Sequence, residues 1–92
     1  MSSVGVHLHI TGMVQGVGYR YFCLRRARHL KVNGWVKNNR DGSVEIEAEG
    51  DRGSIEELIK EVKVGPFGAS VRDVKVDWRQ FTGEYNSFDV TY

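Results

Sequence analysis

Apolar and polar residues alternate along much of this chain, and the period of the alternation changes where one element gives way to the next. Val4, Val6, Leu8 and Ile10 stand between Gly5, His7 and His9, a period of two that predicts a strand with one buried face. Tyr19, Phe22, Cys23, Arg26, Ala27 and Leu30 then recur at three- and four-residue spacing, which predicts an amphipathic helix with Arg26 at its margin. Asn33 to Asn38 reads as a second strand, and Val44, Ile46 and Ala48 alternate with Glu45, Glu47 and Glu49 in a third. The Asp41-Gly42 pair between them favours a hairpin turn.

Gly50 to Gly53 reads as a break, after which Ser54 and Glu57 have the spacing of a capping box for a second helix buried through Ile55, Leu58, Ile59 and Val62. Pro66 between Gly65 and Gly68 marks a loop. Val74, Val76 and Trp78 among Lys75, Asp77 and Arg79 predict a fourth strand, and Phe88, Val90 and Tyr92 a short terminal one. The order β-α-β-β-α-β plus a short strand predicts an α+β fold of the ferredoxin-like, split β-α-β kind, with an antiparallel sheet and both helices on one face. Residues 1–92 are expected to form one domain, because a chain of this size supports one modest core and shows no linker, repeat or low-complexity tract.

Thirteen basic and twelve acidic residues leave a formal charge of +1, too little to gather polyanions or anionic membranes at long range. The expected partner is therefore a small molecule, without nucleic acid or membrane, and the chain is expected to act as a monomer. A lone cysteine, Cys23, excludes an internal disulfide and fits a cytoplasmic setting. Cys23 is followed by Leu24-Arg25-Arg26 in a continuous helix rather than by a cradle loop, so it reads as a small apolar helix residue and not as a nucleophile. His7 and His9 share a strand face but stand opposite the apolar one, and no metal or other cofactor is expected.

The chemistry concentrates in Gly12-Met13-Val14-Gln15-Gly16-Val17-Gly18-Tyr19-Arg20, a strand-to-helix loop with three glycines in seven positions. Such glycines let backbone N–H groups turn inward, the helix adds its positive end, and Arg20 supplies a planar fork that matches phosphate oxygens in pairs. The loop lacks the Gly-Lys-Ser/Thr ending and the G-x-G-x-x-G spacing, so nucleotide binding is not implied. Asn38 shares the side-chain parity of Val36 and so faces the helices at the end of its strand. On the residues alone it either holds a ligand or water, or merely opens the Asn39-Arg40-Asp41-Gly42 turn.

These two segments, the second running from Gly34 to Val44, resemble the two signatures of the acylphosphatase family in order and spacing. The resemblance implies hydrolysis of acyl phosphates to a carboxylate and inorganic phosphate. It further implies that Arg20 and the backbone N–H groups of Gln15, Gly16, Val17, Gly18 and Tyr19 bind phosphate, while Asn38 orients the attacking water. Two residues depart from the family pattern: Tyr19 stands where phenylalanine is usual, and Lys31 where glycine usually follows the first helix. An RNA-binding module of similar element order is disfavoured by Glu45, Glu47 and Glu49 on its would-be binding face. A regulatory module that binds phosphate or a metabolite without turning it over is the remaining alternative.

Overall fold

The computed structural model describes residues 2–92. Its elements are β1 (Ser3–Met13), α1 (Tyr19–His29), β2 (Asn33–Asn38), β3 (Val44–Asp51), α2 (Arg52–Val64), β4 (Ser70–Arg79) and β5 (Phe88–Val90). The strands make one sheet in the order β4-β1-β3-β2-β5. β3 lies between the two strands of the β1-α1-β2 unit, and β1 lies between those of β3-α2-β4, so the two split β-α-β units interlock.

The buried face of the sheet is the one that the alternation predicts. Val6, Leu8 and Ile10 of β1 stand opposite Ala48, Ile46 and Val44 of β3, and Val36 of β2 continues the layer, each at most 1% exposed. Tyr19, Cys23 and Ala27 of α1 and Ile55, Leu58, Ile59 and Val62 of α2 close the core over them. Arg26, at the margin of α1, forms an ion pair with Glu61 of α2. Among the described residues, no helix is long and apolar enough to cross a membrane.

The sheet is mixed, not purely antiparallel as expected. β5 runs parallel to β2, with Phe88 opposite Gly34 and Val90 opposite Val36. Alternation fixes which face a side chain takes but not the direction in which its strand runs. Residues 80–87 cross the open face and deliver the chain to the end of the sheet where β2 begins. Glu49 pins this crossing: its carboxylate accepts hydrogen bonds from the Thr82 N–H at 2.9 Å, the Thr82 hydroxyl at 2.7 Å and the Gly83 N–H at 3.0 Å. Burial alone would raise the Glu49 carboxyl, but these donors outweigh it and hold the group below its ordinary value.

The start of α2 and the end of α1 both have local causes. α2 begins at once after β3, without the expected break, because the Asp51 side chain accepts a hydrogen bond from the Gly53 N–H at 3.2 Å and caps it. Ser54 and Glu57 consequently lie inside the helix rather than forming a capping box at its start. α1 ends with the Val32 N–H donating to the Ala27 carbonyl at 2.9 Å and the Lys31 N–H to Arg28 at 3.1 Å, a Schellman closure. That closure places Lys31 at φ 59°, the one non-glycine residue at positive φ among the described residues.

Lys31→Gly is expected to relieve the left-handed backbone and stabilise the fold by about 1 kcal/mol, a rise of about 4–8 °C in a thermal melt. Glu49→Gln is expected to cost about 2 kcal/mol at neutral pH, because donors to a charged group lose their acceptor charge. The folded Glu49 carboxyl lies below the ordinary 4.5, so its stabilisation is complete above that pH and lost as pH falls through the folded value. Urea midpoints measured against pH should therefore show a shallower acid limb in Glu49→Gln than in the parent.

Candidate active site

β1, β2, β3 and β4 bring the ends of their loops together at one rim of the sheet, since Asn38 stands opposite Val44 and Val44 opposite Ile10. The chain leaves β1 there, passes through Val14 to Gly18, and enters α1. Gly16 and Gly18 adopt φ 75° and 76°, backbone conformations that side chains resist, and a Cβ on either would meet nothing within 4 Å. Glycine is required here by backbone angle rather than by crowding.

α1 starts without help from any side chain. Gly18 is its N-cap, no side chain caps it, and its first turn holds no acidic residue. The first backbone bond of the helix is from the Phe22 N–H to the Gly18 carbonyl, and no backbone carbonyl among the described residues serves the N–H groups of Gln15 to Tyr19. An uncapped helix end of this kind presents free donors and the positive end of the helix dipole.

A small cavity of about 140 Å³ opens on those donors, lined by Val14, Gln15, Gly16, Gly18, Tyr19, Arg20, Tyr21 and Asn38. It is well below the several hundred Å³ of pockets that enclose drug-sized molecules. Asn38 joins the wall from β2, and its Oδ1 is the one buried side-chain polar atom among the described residues without a hydrogen-bond partner. A larger, open groove of about 820 Å³ lies beside Met13, Asp41 and Arg72, but none of the seven expected site residues lines it.

The loop is fastened to the β2–β3 hairpin by Gln15. Its amide nitrogen donates to the carbonyls of Asn39 at 2.8 Å and Ser43 at 2.9 Å. The hairpin is itself locked: the Ser43 hydroxyl donates to Asp41 at 2.6 Å and accepts from the Asn39 amide at 2.9 Å. The Ser43 hydroxyl and N–H together hold the Asp41 carboxyl below its ordinary value.

Tyr19 and Cys23 sit beneath the cavity as packing groups. The Tyr19 hydroxyl donates to the Val62 carbonyl at 2.6 Å, and Pro66, which has no N–H, cannot serve that carbonyl. Burial raises the Tyr19 hydroxyl far above its ordinary range and pushes the Cys23 thiol up to about 12, so both stay protonated.

Six of the seven expected site residues thus share one cavity wall. Val17 is the exception; its side chain packs against the core. Sequence reasoning missed Val14 and Tyr21 in the wall, and also Tyr92, whose ring lies 5.2 Å from the Arg20 guanidinium carbon. Tyr92 continues the Phe88–Val90 alternation, but only the parallel course of β5 brings it to this rim.

Fold and cavity together define a ferredoxin-like α+β protein whose first helix opens on a small polar chamber. A family model for acylphosphatase matches residues 6–90. The chain is 51% identical to an acylphosphatase of Salinibacter ruber, over 92% of this chain and 90% of that one. It is 47% identical to an acylphosphatase of Caldanaerobacter subterraneus subsp. tengcongensis, over 92% and 94%. The crystal structure of acylphosphatase from Bacillus subtilis superposes with a TM-score of 0.94 at 36% identity, covering 97% of this chain and 99% of that one. The chain belongs to the acylphosphatase family, and its activity is the hydrolysis of acyl phosphates.

Gln15→Ala is expected to cost about 1–2 kcal/mol by removing two hydrogen bonds between loop and hairpin. It should also lower kcat through displacement of Asn38, with the stability loss read from urea denaturation and the rate from single-substrate kinetics.

Proposed function

We propose that the cavity between α1 and the end of β2 is where the acyl phosphate is hydrolysed, with Arg20 and Asn38 as the catalytic residues. The observation that carries this reading is the orphaned Asn38 Oδ1, which shares a small cavity with Arg20 and with unserved backbone donors. A buried acceptor without a partner costs free energy unless something donates to it. A water molecule positioned for attack meets that need.

In this reading the Arg20 fork and the N–H groups of Gln15, Gly16, Val17, Gly18 and Tyr19 hold the non-bridging phosphoryl oxygens. The water held by Asn38 attacks phosphorus in line with the bond to the acyl oxygen. That P–O bond breaks, its electron pair leaves with the carboxylate, and the water's proton passes to solvent. Carboxylate is a good leaving group, so no general acid is needed, and phosphoryl transfer asks mainly for positioning and for stabilisation of charge on the equatorial oxygens. Fixed N–H donors and a guanidinium supply both without a metal ion. Every residue invoked comes from one chain, so a single copy suffices for the chemistry. The lone buried thiol, Cys23, supports a reducing, cytoplasmic setting.

Release of benzoate from benzoyl phosphate, with a chelator present, tests the assignment. Arg20→Ala is expected to lose both phosphate binding and turnover, and Asn38→Ala to keep phosphate binding while kcat falls by about two orders of magnitude or more. An Asn38→Ala enzyme of undiminished rate would remove the water-holding role.

A further inference from the structure

The cavity at the start of α1 is too small for a whole acyl phosphate. It holds about 140 Å³, and a water-sized group takes about 30 Å³, so the phosphate oxygens and one attacking water fill it. The acyl group must therefore lie outside, against whatever borders the mouth.

Burial sets the direction in which it leaves. Asn38 Oδ1 is buried, so a water held there approaches phosphorus from the protein side. In-line displacement then sends the carboxylate the opposite way, toward solvent. This direction depends on the proposed roles of Arg20 and Asn38. Five of the eight residues in the cavity wall are buried or half-buried, and the exposed three are Gly16, Gly18 and Tyr21. The two glycines carry no side chain. Tyr21, 51% exposed, is thus the one exposed side chain at the mouth.

Solitary exposed apolar side chains are common on protein surfaces and usually signify nothing. Tyr21 differs in its position, beside Arg20 in the wall of the cavity, and in its idleness elsewhere. Its neighbours Tyr19 and Phe22 pack in or against the core, and Tyr21 does not. A second exposed ring, Tyr92, lies 5.2 Å from the Arg20 guanidinium carbon but is not part of the wall.

We propose that Tyr21 is a specificity-determining residue of this hydrolysis: its ring is the surface on which the acyl group lies, so that acyl phosphates with a flat, apolar acyl group are favoured over small ones. A tyrosine suits an open mouth, because its apolar body offers a face to the ligand while its hydroxyl stays in water. The acyl group keeps the same contact before and during P–O cleavage, so the ring lowers KM and leaves kcat alone. A single face without an opposing wall sets a preference and excludes little.

Steady-state hydrolysis of benzoyl phosphate and of acetyl phosphate by the parent, Tyr21→Ala and Tyr21→Phe tests this. Tyr21→Ala should raise KM for benzoyl phosphate about three- to tenfold with kcat unchanged, the scale of one lost aromatic contact. Its kcat/KM for acetyl phosphate should stay within about twofold of the parent, which also reports that the variant is folded. Tyr21→Phe keeps the ring and should retain parental values on both substrates. Inhibition by inorganic phosphate should be the same in all three, because phosphate alone does not reach the ring.

Equal losses on both substrates, no change on either, or a preference for benzoyl phosphate that survives Tyr21→Ala and vanishes in Tyr92→Ala would each overturn the proposal. Arg20→Ala and Asn38→Ala in the same assay keep the two readings apart. Full activity in those variants removes the site and the role of Tyr21 with it, whereas their loss of activity beside an unchanged Tyr21→Ala removes the role of Tyr21 alone.

Discussion

The site end of the molecule depends on a helix that begins without a cap. A capping serine or aspartate would make α1 more stable and would also consume the donors and the positive field that the cavity exposes. The helix start is held instead by side chains beneath it. Tyr19 is buried, and its hydroxyl occupies the Val62 carbonyl that Pro66 leaves unserved, so the first turn is anchored to α2. The free N–H groups are an outcome of packing farther down, which is why they can remain unsatisfied by protein.

Asn38 depends on the same loop in a different way. Its strand ends before the hairpin, and the hairpin is tied to the glycine loop through Gln15. The proposed water-holding group and the proposed anion-holding loop, which come from separate segments, are thereby fixed relative to each other by hydrogen bonds between half-buried groups. Precision of this kind is what positioning catalysis requires, since a displacement of about 1 Å is enough to cost large factors in rate.

Much of this was legible in the residues. The alternation in β1 and β3 places Val6, Leu8, Ile10, Val44, Ile46 and Ala48 in the core where they are found. Arg20 and Asn38 were found as a basic fork after a glycine loop and a polar residue on an apolar parity, and both line the same cavity. What escaped was set by three-dimensional context. The direction of β5 depends on a crossing held by Glu49, a residue that reads in sequence as one more solvated carboxylate. The start of α2 turns on Asp51, where a local cap overrides glycines that signal a break. Tyr92 reaches Arg20 only because β5 runs parallel to β2.

The interlocked strand order also constrains how the protein is made. β1 is synthesised first, yet its two neighbours in the sheet are β3 and β4, with Leu8 opposite Val76. Only β2 and β3 form a pair joined by a tight hairpin. Contacts of this separation close slowly, because the loop entropy must be spent before the pairing returns anything. A nascent chain therefore carries an apolar β1 with one ladder unfilled until β4 has been translated, and during that interval it presents the surface that chaperones shield and aggregation exploits.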